Sequence, residues 1–210
     1  MKPYTYINFR KDTYYIHGKD TKTGKITYIC SQKGDHALAE LPEGYEIYEN
    51  PNAQVFCRKI QKQMITKAEI QLVEKLLKEH CKLSPVKIDL KKDCIFIWTP
   101  DRDGQMMASD IGILDLPFKM LWGEQAIDPK TKEKIDQKRN DFIARHSRFH
   151  CDLRFTLVNP KTRTFVAERF CYLGSIDDWI ILDGLGDDFL EELVKKTVVH
   201  LGEESFFELS

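Results

Sequence analysis

The residues best equipped for chemistry crowd one stretch, RHSRFHCD, from Arg145 to Asp152. Two histidines four apart, a cysteine and a carboxylate suggest a metal site or a nucleophile with its base. On a helix His146 and His150 would share a face, the spacing of the ligating pair in H-E-x-x-H metalloproteases. That motif places its glutamate base directly after the first histidine, and position 147 here is Ser. Periodicity raises a second objection. Phe149, Cys151, Leu153, Phe155 and Leu157 alternate with His150, Asp152, Arg154 and Thr156, the pattern of a strand with one apolar and one polar face.

A helix upstream of that strand must end near Ser147, so the two histidines fall in different elements. His150 and Cys151 then point to opposite sides of a sheet and cannot act as adjacent base and nucleophile. The expectation for His146 is a place beside Phe142 and Ile143 at a helix C-terminus, where a cation suits the dipole. His150 and Asp152 belong to the polar face of the strand. With Asp183, at the end of a later strand, these are the positions at which a pocket would have to form.

Other motifs argue themselves down. Asp101-x-Asp103-Gly104 begins like a calcium loop, but the twelfth position, where a bidentate glutamate belongs, is Gly112. Asp177, Asp178, Asp183, Asp187 and Asp188 resemble a magnesium-binding group, yet aspartates opening a helix serve equally as caps. Asp183-Gly184-Leu185-Gly186 lacks the lysine of a phosphate loop. A nuclease-type acid-x-lysine match, Asp136-Gln137-Lys138, lies inside an expected helix, and no G-x-S-x-G elbow occurs. No catalytic, metal-binding or cofactor-binding residue is therefore expected, and no cofactor.

Charge is unevenly spread. Within a net charge of −1 for the whole chain, residues 130–169 carry eleven basic and five acidic side chains, and 170–210 carry two basic and ten acidic ones. Lys138, Arg145 and Arg148 on a helix, with Arg154, Lys161 and Arg163 on the hairpin after it, are the candidate contacts for phosphates of a nucleic acid. Against that, Glu133, Asp136 and Asp141 share the helix at pairing distances, and an isoelectric point near 6.6 is low for a dedicated nucleic-acid binder.

The elements that would position these residues read as α+β with antiparallel hairpins or a meander, and three main helices at 66–83, 129–147 and 187–201. Thr66-Lys67-Ala68-Glu69 is a capping box opening the first helix. Asp128-Pro129 opens the second, and Gly202 closes the third. A short helical turn is expected over Asp35–Leu41 and another helix from Pro117. Strands are expected around 13–16, 26–30, 45–48, 54–57, 86–90, 94–98, 149–158, 164–173 and 179–182. A β-hairpin-rich N-terminal part, 1–65, is expected to precede an α+β part, 66–210, with one single domain over 1–210 as the alternative.

Composition sets the setting. Hydrophobic residues make up 42% and charged residues 31% of 210, the balance of a globular protein. No apolar run approaches the ~20 residues of a membrane span, and the opening MKPYTYINFRKD has no apolar core of the kind a secretory signal needs. Six cysteines without a CxxC pair, and no glycosylation sequon, fit a reducing cytoplasmic compartment. The expected function is a binding or interaction module with a protein partner. Nucleic-acid binding through 130–163 is the alternative, and a metal-dependent hydrolase or nuclease the second alternative.

Overall fold

A computed structural model describes residues 2–101, 128–172, 174 and 177–209. Among the described residues the architecture is antiparallel sheet with three α-helices, an α+β fold. Contacts divide the chain into two compact units, Met1–Gln63 and Met64–Ser210.

In the first unit, β1 (Thr5–Ile7), β2 (Thr13–Asp20) and β3 (Ile26–Ser31) form an antiparallel sheet, and β4 (Tyr45–Glu49) pairs with β5 (Val55–Lys59). Its buried apolar core is small: Ile16, Ala53 and Val55. Polar ties compensate. Glu49 accepts from the Tyr6 hydroxyl at 2.7 Å and the Phe9 N–H at 2.9 Å, joining hairpin to sheet. Buried Asn8 donates to the Ala53 carbonyl and accepts from the Asp12 N–H. The helical turn expected over Asp35–Leu41 is not formed. The chain bends there instead, with His36 in the left-handed region at φ 59°.

The second unit is a two-layer structure. Strands β6 (Lys87–Lys91), β7 (Cys94–Pro100), β8 (Phe149–Asn159), β9 (Thr164–Tyr172) and β10 (Asp177–Ile181) make an antiparallel meander, and β11 (Asp187–Phe189) pairs with β9 beyond the end of β10. Alternate residues Ile95, Ile97, Leu153, Phe155, Leu157, Phe165 and Ala167 form one apolar face. Against it pack α1 (Lys67–His80), through Val73, Leu76 and Leu77, and α3 (Leu190–Val198), through Leu193, Val194 and Val198. The amphipathic period of each helix is what this face requires. The remaining helix, α2 (Pro129–His146), ends one residue before Ser147, and β8 starts at Phe149. The capping box of α1 is complete, and Asp128 accepts from the Lys130 N–H at 3.0 Å at the start of α2.

Two helices are shorter than their apolar periodicity predicts. α1 stops at His80, with Cys81 already extended at φ −82° and ψ 129°, and Leu83 lies beyond it against Gly202, where an added Cβ would come within 2.9 Å of it. α3 starts at Leu190, not Asp187, because Asp187, Asp188 and Phe189 pair with Val166, Phe165 and Thr164 of β9. Past Val198 it tightens into i→i−3 turns, which keep Leu201 buried. The helix expected from Pro117 lies outside the described residues.

The β8–β9 turn is tied back to α1. Arg163 donates from Nε to Oε1 of Glu69, the capping-box glutamate, at 2.9 Å, and Nη2 adds further bonds. Burial pushes the Glu69 carboxyl up, and the Arg163 and Thr66 hydrogen bonds override it and hold the group below its ordinary value. Arg163 itself sits at φ 58°. Arg163→Ala is expected to destabilise the second unit by about 2 kcal/mol, the value of charge-assisted bonds. Arg163→Gly should cost roughly 0.5–1 kcal/mol less, because glycine suits the left-handed backbone. Urea unfolding of both variants checks the order; a larger loss for glycine would refute this account.

Candidate functional site

The polar face of β8 carries His150 and Asp152, and β7 completes it. Residues pair as Ile97 with Leu153 and then Trp98 with Cys151, a one-residue slip that leaves Asp152 without a partner across the ladder. Such irregularities re-aim side chains beside functional sites. Here the slip sets Thr99 opposite His150. The imidazole lies between two carboxylates: Nδ1 is 2.9 Å from Asp101 Oδ1 and Nε2 is 2.7 Å from Asp152 Oδ2. Thr99 Oγ1 is 3.1 Å from Nε2 and donates to Asp152 Oδ2 at 3.4 Å.

A hydroxyl, Nε2, Nδ1 and a second carboxylate in that order resemble a hydrolytic triad. Its chemistry is blocked three ways. With a carboxylate on each ring nitrogen, both must donate, so the ring is an imidazolium. The Asp152 hydrogen bond, joined by that of Asp101, raises the His150 pKa from 6.5 to about 9 against the opposing effect of burial, which leaves no base at neutral pH. Thr99, the would-be nucleophile, is only 2% exposed. Metal binding fares no better, because both ring nitrogens are engaged, on opposite sides. Among the described residues no three His, Cys, Asp or Glu side chains converge where an ion could sit. Cysteine chemistry is also disfavoured, since burial pushes the thiols of Cys30, Cys57, Cys81, Cys94 and Cys151 up, away from the reactive thiolate.

Two residues along β8, Arg154 stands opposite Glu168 of β9. Nε donates to Oε2 at 2.8 Å and Nη2 to Oε1 at 2.6 Å, and the Thr156 hydroxyl also donates to Oε2. The guanidinium lies 4.4 Å from the Trp179 ring, which meets Phe170 and Phe96 edge-on. Glu168 is 7% exposed. This fork is fully engaged within the protein.

The structure therefore sorts the sequence candidates. Arg154 and Arg163 are each neutralised by a glutamate, Glu168 and Glu69. Lys138, Arg145, Arg148 and Lys161 are exposed and carry no ion pair among the described residues. Arg148 and Lys161 flank opposite ends of the eleven-residue β8, on the order of 35 Å apart, so they do not form one compact patch. His146 stacks on Phe142 at 3.9 Å, with Nδ1 at 2.9 Å from the Phe142 carbonyl. Asp183 lies in a 3-10 turn after β10, and of His146, His150, Asp152 and Asp183 only His150 and Asp152 meet.

Thr99 and Glu168 carry no sequence signal, and Asp101 stands out only as the start of a failed calcium loop. Their partners are distant in sequence, and the slip at Asp152 leaves no trace in residue type. Also unanticipated is the surface of β10 and its surroundings: Ile180 and Ile181 are 40% and 45% exposed, Phe189 61% and Phe207 66%.

No family model, curated protein or solved structure matches the chain. Among the described residues no helix is long and apolar enough to cross a membrane.

Two measurements check this account. Because the folded pKa of His150 is raised, its stabilising effect is fully present below the ordinary value of 6.5 and is lost as pH rises through about 9. Wild-type Tm should fall by a few degrees relative to His150→Gln across that window; a constant difference would mean that the ring is not an imidazolium. Arg154→Leu leaves Glu168 buried and unpaired, a loss of about 3 kcal/mol, and adding Glu168→Leu should recover most of it. If the double variant is no more stable than the single one in urea, the ion pair is not the cause.

Proposed function

We propose that this chain is a protein-interaction module without a catalytic centre, and that its contact surface lies around β10. One observation carries the reading: Ile180, Ile181, Phe189 and Phe207 are exposed on and around β10 and β11. Scattered surface apolar residues need no explanation, but a group of large ones on neighbouring elements is the usual mark of a partner-binding surface. The locked His150 and the buried Thr99 support the non-catalytic half of the proposal.

A second reading, nucleic-acid binding, has its own support. At 100° per residue, Lys130, Lys134, Lys138 and Arg145 fall within roughly 80° of arc on α2, and all four are exposed. Asp141 lies in the same arc and weakens it.

The immobilised full chain, challenged with cell extract, should retain a discrete set of proteins. Ile181→Lys should lose that set and Thr99→Val should keep it. Equal retention by Ile181→Lys, or ester, phosphodiester or peptide hydrolysis that Thr99→Val abolishes, would overturn the proposal. Retention of nucleic acid that falls with salt, and with Lys138/Arg145/Arg148→Ala, would favour the second reading.

A further inference from the structure

The two edges of the six-stranded sheet are built differently. Strand β6 bears Lys87 and Lys91, and edge lysines are a standard guard against strand addition. Strand β10 has charges only at its start, Asp177 and Asp178, and continues as Trp179-Ile180-Ile181. Among the described residues no strand pairs with its outer side. The Leu182 N–H donates to the Ala167 carbonyl. By alternation along the ladder, Asp178 and Ile180 direct their backbone groups to β9, and Asp177, Trp179 and Ile181 direct theirs off the sheet. The Trp179 N–H is taken by Asp178 Oδ1 at 2.7 Å. The Trp179 carbonyl and both backbone groups of Ile181 have no partner among the described residues.

Both faces of this edge offer apolar seats. Ile181 stands beside Glu168 on one face. Ile180 stands beside Arg169 on the other, and the Arg169 guanidinium lies 5.8 Å from the Phe207 ring. A strand added here would place alternate side chains against Ile181 on one side and Ile180 with Phe207 on the other.

Charge selects the occupant. Between Phe170 and Val194 the sequence has seven acidic residues and no lysine or arginine. Asp188 pairs with Lys196 and Glu191 with Lys195, whereas Asp177, Asp178, Asp183 and Asp187 are exposed without an ion pair among the described residues. A second copy paired edge to edge would bring two such acidic segments within a Debye length of ~8 Å. Resting on the interaction-module reading above, we propose that β10 takes up an extended, Lys- or Arg-bearing segment of a partner protein as an added antiparallel or parallel strand.

The test uses the full chain and a short blocked peptide alternating Lys with Val, followed by fluorescence anisotropy. The peptide should bind at low salt, and its backbone N-methylated form should not. A Glu–Val counterpart should fail too. Asp177→Lys/Asp178→Lys should weaken binding about tenfold. Ile181→Pro, whose N–H faces outward and is therefore dispensable to the fold, should abolish binding with the circular dichroism unchanged. Should that variant misfold, the N-methylated peptide against wild type decides the same point. No binding of the Lys–Val peptide, or equal binding of its N-methylated form, overturns the proposal. If the peptide fails while Ile181→Lys still loses the captured proteins, strand addition falls and the interaction module stands. If Ile181→Lys also keeps them, both fall.

Discussion

Strand β8 runs through the middle of the larger sheet and has to satisfy two faces at once. Leu153, Phe155 and Leu157 close the core with α1 and α3, and that commitment sends Arg154 and Thr156 to the opposite face, with strands on both flanks. A guanidinium in that position cannot be left to water, and Glu168 lies directly across the ladder. The ion pair, the Thr156 hydroxyl and the Trp179 ring thus form one unit dictated by register. A single-residue shift of β9 would move Glu168 to the core face and leave both charges stranded. The pair is less a source of net stability than a condition on which pairing is allowed. At the start of the same strand the slip at Asp152 solves a similar problem differently, setting His150 between two carboxylates and opposite a buried hydroxyl.

Much of this framework was legible in the sequence, and the reason is periodicity. The alternation from Phe149 to Leu157, the Thr66–Glu69 capping box and the Asp128-Pro129 start are local signals, and local signals survive folding when the tertiary structure has no reason to override them. The overrides occur where a distant partner intervenes. Asp187-Asp188-Phe189 continues the apolar phase of α3 and would cap it acceptably, yet the open side of β9 claims it as a strand. Leu83 lies past the end of α1, against Gly202. The His150 cluster was half visible: His150 and Asp152 two apart on a strand share a side, but Thr99 and Asp101 join them only through a register slip that no residue type announces. The grouping of Arg154 and Arg163 with a basic surface had the same weakness. Their neutralising glutamates come from another strand and another helix, which spacing along the chain does not reveal.

That last point governs which charges remain for partners. In the 130–169 segment, the arginines next to sheet or helix neighbours are consumed internally, and those left exposed are spread along α2 and to the far end of β8. In the C-terminal segment the opposite holds. Its two lysines both sit in α3, where they reach Glu191, Glu192 and Asp188, and Lys82 reaches Glu203. None of these cations meets Asp177, Asp178, Asp183 or Asp187. Among the described residues, negative charge without an ion pair therefore gathers around the sheet edge whose outward backbone groups lack a partner and whose central residues are apolar. An open edge of this kind is an aggregation hazard unless something limits what can add to it. Surrounding acids limit it by sign: they repel a second copy of the same edge and leave it accessible to a strand of opposite charge. The same side chains can in this way guard the protein against itself and select its partner.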